Sequence, residues 1–105
     1  MSAIYTPGNG AIPLRPVTAD YTVVAEDNVL SVKLSSFSIL ITLPAANTLP
    51  MSSFLQIKDE NKLASSYNIT IQPTSGMIDG QSSVSITLNG GALTIMHDET
   101  NFFTV

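Results

Sequence analysis

The sequence lacks cysteine and tryptophan altogether, and charged residues make up only 11% of its 105 positions. Without cysteine there is no disulfide framework and no thiolate metal site, and the fold does not depend on the redox state of its compartment. Basic residues number four, Arg15, Lys33, Lys58 and Lys62, against eight acidic ones. They form no dense patch of the kind that displaces counterions from phosphates, which argues against nucleic-acid binding. A single histidine, His97, leaves no imidazole pair for a metal and one possible base for the many serines, none of which stands in a Gly-x-Ser-x-Gly elbow. Long apolar runs are missing too. The longest, around Ile39 to Ile41, is far shorter than the roughly 18 to 20 residues that span a bilayer as a helix. The first eight residues have neither a basic segment nor an unbroken apolar one, so no signal peptide is expected, and the chain is read as soluble and made in a cytoplasm.

What the sequence does contain is period-two alternation. Residues 29–34, 38–43, 54–59, 68–72, 83–88 and 92–97 alternate Val, Ile or Leu with Ser, Thr, Gln or Lys. This is the signature of strands with one face in a core and the other toward solvent. Turn residues separate the segments at 26–28, 35–36, 44–50, 59–66, 73–80, 89–91 and 98–101. Asn89-Gly90-Gly91 is the strongest hairpin signal and predicts that its flanking strands are antiparallel neighbours. Residues 45–49 have room for one helical turn between Pro44 and Pro50. The prediction is an all-β fold of about eight strands: a compact antiparallel β-sandwich or small barrel-like module over residues 21–105. Pro7, Gly8, Gly10, Pro13 and Pro16 crowd the first twenty residues, which are expected to form an extended N-terminal arm. A chain this short buries only about two-thirds of its unfolded surface, so association with its own copies, as a homo-oligomer, is expected to complete the burial.

The candidates for chemistry are few. His97-Asp98-Glu99 is the only place where an imidazole sits beside carboxylates, and alternation along a strand sends such neighbours to opposite faces. Glu26, Glu60 and Asp79 could serve sugar hydrolysis only if the fold gathered them in a cleft. Asp79-Gly80 reads as a turn, since the regularly spaced ligands of a calcium loop are absent. Asn68-Ile69-Thr70 matches a glycosylation acceptor inside a predicted strand. No enzyme, cofactor or metal is expected. Ile4, Tyr5, Ile12, Leu14, Arg15 and Val17 give the arm apolar anchors and one cation, and are the candidate contacts to a partner.

The order of the strand idioms carries a resemblance. Tyr21 to Val24 with Asp27 to Leu30, Ile41 to Ala45, Ile57 to Asp59, Asn68 to Pro73, Ile78 to Gly80, and Leu93 to Ile95 with Asn101-Phe102-Phe103 together resemble a module common in virion proteins of tailed bacteriophages. Such modules occur in fibres, tail appendages and small capsid-surface proteins. This one departs from them in ending on Phe-Phe where Asn-Trp or Asn-Tyr is more usual. The resemblance implies a β-rich structural module that commonly assembles as a trimer. A short chain with one arm is expected to be a capsid cement or decoration protein, bound to the major capsid protein on the virion surface, with contacts to neither nucleic acid nor membrane. The alternative is a small tail or fibre component acting as a joint or receptor-binding tip.

Overall fold

In the computed structural model, residues 14–50 and 54–105 are described. Among them nine strands form: β1 (Leu14–Val17), β2 (Tyr21–Thr22), β3 (Val29–Val32), β4 (Ile39–Leu43), β5 (Leu55–Asp59), β6 (Ile69–Pro73), β7 (Val84–Ile86), β8 (Ala92–His97) and β9 (Phe102–Thr104). They build two sheets. Sheet A has the order β1-β3-β5-β8-β9 and sheet B the order β2-β4-β6-β7. Up to β6 the chain changes sheet after every strand, and each new strand pairs in parallel with the one two before it. The path is therefore a coil with two strands per turn. Three antiparallel pairings, β6 with β7, β5 with β8 and β8 with β9, then end it.

The fold is thus all-β, but the expected antiparallel sandwich or barrel is corrected to a pair of mixed sheets that do not close into a barrel. Period-two alternation tells which face of a strand is buried and is blind to strand direction. A chain that crosses to the opposite layer and back reverses twice, so it re-enters each sheet running the same way.

Alternation places one core between the layers. Ile39, Ile41 and Leu43 of β4, Ile69 and Ile71 of β6, Leu30 and Val32 of β3, Leu55 and Ile57 of β5 and Ile95 of β8 are buried in a single cluster. Branched side chains suit a pleated, half-buried surface, and each fully buried one contributes about 1.5–3 kcal/mol. Ile78 bridges to Phe102, and both join the core beside β9. The expected helical turn is present as a 3-10 turn at Ala46–Thr48, with Ala46 in the core.

Two local expectations change. The arm was expected to run to residue 20, yet Leu14–Val17 is an edge strand whose Val17 lies in this chain's own core. The Val17 carbonyl accepts the Lys33 N–H at 2.8 Å. Alternation then turns Pro16 to the free edge, where its missing donor leaves no ladder bond unmade. Residues 1–13, the rest of that arm, lie outside the described residues. The turn at 88–91 also exists, closed by Gly91 N–H to Leu88 O at 2.9 Å, but β7 and β8 belong to different sheets. With Gly90 at φ +75° and Asn89 outside the positive-φ region, the turn is type II. Type II turns splay the flanking strands where the primed types pair them, so this one carries the chain from sheet B to sheet A.

Candidate assembly surface

Of the six proposed contact residues, Ile4, Tyr5 and Ile12 lie outside the described residues. The other three separate. Val17 points into the core, Leu14 points outward and is 61% exposed, and Arg15 faces the interior end of the coil. Arg15 Nε donates to Asp27 Oδ1 at 2.7 Å, and the guanidinium lies 5.3 Å from the centre of the Tyr21 ring. The Tyr21 hydroxyl and the Val24 N–H donate to Asp27 Oδ2 at 2.7 and 3.0 Å. Sequence reasoning offered Arg15 as a contact to a partner; the structure gives it Asp27 of its own chain. The hydrogen bond to Asp27 and that carboxylate's charge hold the guanidinium pKa above its ordinary value. Burial, followed by the bond to Asp27 and its charge, pushes the Tyr21 phenol up to about 12. Together these groups close the first turn of the coil with a polar plug, where an open hydrophobic end would otherwise remain.

Exposed large apolar residues occur in the loops, at Val24, Phe37, Met77 and Leu88, and on the outer face of sheet A, where they line up in rows. Register places Leu14, Val29, Gln56 and Thr94 in one row, which Val105 extends by donating its N–H to the Thr94 carbonyl at 2.9 Å. Continuing the same register, Phe54 stands opposite Met96, which pairs with Phe103. Phe54, Phe103 and Val105 are exposed, and Val29 and Met96 partly so. Neither row has a charged side chain. The row above them, Pro16, Ser31, Lys58 and Ala92, marks the change to a polar rim. There the Ser31 hydroxyl donates to Glu60, and Lys33 pairs with Glu60 at 3.2 Å. These two contacts, the Ser31 bond first, lower the Glu60 pKa. The outer face of sheet B differs: Thr22, Thr42, Thr70, Gln72 and Ser85 surround one apolar residue, Leu40, and make it polar and hydroxyl-rich. One face of the module is suited to adhesion and the other to water.

The remaining candidates for chemistry have structural partners. His97 is buried, with Nδ1 accepting the Glu99 N–H at 3.0 Å and Nε2 left to donate to the Pro50 carbonyl at 2.9 Å. Asp98 Oδ1 accepts the N–H groups of Asn101 and Thr100 at 2.7 and 3.0 Å, which lowers its pKa. Asp79 accepts both the N–H and the hydroxyl of Thr104. Glu26 precedes β3 and Glu60 follows β5, and since those strands are parallel the two carboxylates stand at opposite ends of sheet A. Asn68 donates its amide to the Ala64 carbonyl at 2.8 Å. No three His, Cys, Asp or Glu among the described residues converge as a metal site.

Sequence reasoning missed the apolar rows because it looked for contact residues in the arm. The signal was present in Met96 and Phe103, large apolar residues at positions that alternation assigns to the solvent side of their strands. No protein-family model matches the sequence, and no curated protein matches it.

Proposed function

We propose that this chain is a non-enzymatic structural protein of a tailed-bacteriophage virion, a trimeric cement or decoration protein bound to the capsid surface. The observation that carries the reading is the apolar face formed by Leu14, Val29, Phe54, Met96, Phe103 and Val105 on the outer side of sheet A, which has no charged side chain in its two rows. Contiguous exposed apolar patches mark interaction surfaces more often than scattered apolar residues do. The order of strand idioms supplies the kind of partner. Each copy lays this face against the major capsid protein. Three linked copies then turn modest contacts into a durable clamp across neighbouring capsid subunits, because second and third engagements are intramolecular.

Phe103→Ser, alone and with Phe54→Ser, tests the face. Neither side chain belongs to the core cluster, so the variants keep the wild-type circular dichroism spectrum and stay folded at the temperature of the assay, with a lowered melting temperature. Capsid binding, measured by co-sedimentation with shells stripped of the protein, falls at least about tenfold, as for loss of an interface anchor. Unchanged binding by the folded double variant removes this face from the function.

A further inference from the structure

The loop ends opposite the polar plug hold a chemistry that the assembly role leaves unused. Asparagine followed by glycine is the dipeptide most prone to succinimide formation, because the glycine imposes no side chain on the attacking nitrogen. In that reaction the backbone nitrogen of Gly90 attacks Cγ of Asn89. The new C–N bond closes the ring, the Cγ–Nδ2 bond breaks, and the proton lost from Gly90 leaves with ammonia. Water then opens the imide to aspartate or isoaspartate.

The attacking nitrogen and the amide oxygen beside the attacked carbon are both held in other bonds. The Gly90 N–H donates to Asp59 Oδ2 at 3.0 Å, and Asn89 Oδ1 accepts the Ser65 N–H at 2.9 Å. Asp59 is itself fully buried and fixed by the Ala64 N–H at 2.8 Å, and Lys58 Nζ donates to the Gly90 carbonyl. The type II turn adds a geometric block. Its first central residue has ψ near about +120°, which rotates the Asn89 side chain and the Gly90 nitrogen to opposite sides of the Cα–C bond. Ring closure needs them on the same side.

We propose that Asn89-Gly90 is a masked modification site: the fold holds it unreactive through Asp59 and Ser65, and opening of this loop starts its conversion. The site then records excursions from the native state. Isoaspartate adds a backbone methylene to a turn whose three-residue hydrogen bond has no room for it, so the product does not regain the lock.

The test follows residue 89 by peptide mapping in the full-length protein at mildly alkaline pH, folded in buffer and unfolded in urea. Conversion in the folded protein is expected to be at least about tenfold slower, since it proceeds only through local opening. Folded Asp59→Ala, which offers the Gly90 N–H no acceptor, converts faster than folded wild type; an unchanged rate removes Asp59 from the lock. Should that variant fail to fold, the two wild-type rates decide alone. A folded wild-type rate equal to or above the unfolded one overturns the proposal, and would show Asp59 acting as a base on the Gly90 nitrogen.

Discussion

Replacing Asp59 by alanine tests whether one buried carboxylate joins the two loops at this end of the sheets. Asp59 ends β5 on its core-facing side with no exposure, where apolar alternation would place Val or Ile. Its Oδ2 accepts two backbone N–H groups, one from Ala64 in the loop after β5 and one from Gly90 in the β7–β8 turn. Oδ1 is buried with no hydrogen-bond partner among the described residues. Alanine leaves both N–H groups without an acceptor, at about 1–3 kcal/mol each. Removing the unpartnered Oδ1 returns part of that loss, so the net destabilisation is about 2–4 kcal/mol. In a urea titration with a slope of about 2 kcal/mol/M the midpoint falls by about 1–2 M. A domain with about 5–15 kcal/mol in hand remains folded without denaturant, so the shift can be read. A midpoint within about 0.25 M of wild type, at an unchanged slope, would refute the reasoning and show that water satisfies the two donors.

Further outcomes follow from the same geometry. The Tyr21 phenol has a folded pKa of about 12 against an ordinary value of 10.0. A raised pKa contributes stability that is whole below the unfolded value and disappears as pH rises through the folded one; Tyr21→Phe is therefore expected to flatten the loss of stability over that alkaline window. Asp98 has a lowered pKa through its bonds to Asn101 and Thr100. It stabilises the fold above the ordinary carboxylate range and ceases to do so as pH falls through its depressed value, so Asp98→Ala is expected to weaken the acid dependence seen in chemical denaturation. At Gly91 a Cβ would lie 2.8 Å from Ile86 Cγ2 and 2.9 Å from the Leu88 carbonyl. Gly91→Ala is expected to cost about 1–3 kcal/mol as an overpacked site, and a thermal melt equal to wild type would contradict that.

The sequence made the strands readable and left their partners hidden. Ile39, Ile41 and Leu43, or Ile69 and Ile71, announce a buried face by spacing alone, and both strands formed where expected. Whether residue 41 meets a neighbour running with it or against it depends on how the chain crosses between layers, which no local pattern records. Asn89-Gly90-Gly91 illustrates the difference: turn chemistry was legible, while the turn's type, which decides between pairing strands and separating them, was not. Pro16 misled in the opposite sense, because proline argues against a strand only where its nitrogen faces a neighbour. Of the candidate surface, Leu14 was identified from sequence. Phe54, Met96, Phe103 and Val105 were not, since their significance comes from adjacency across β5, β8 and β9 in space. Asp59 read as a turn residue, and only the folded chain shows it buried beneath the two loops it joins.

The proposed role is tested most directly by counting this protein against the major capsid protein, by quantitative mass spectrometry, in virions purified from cells that produce it. A cement protein spread over the shell is expected in numbers approaching those of the capsid subunits. A few copies to a few tens per particle would instead assign it to the tail or a single vertex, and its absence from the particle would contradict the virion role altogether.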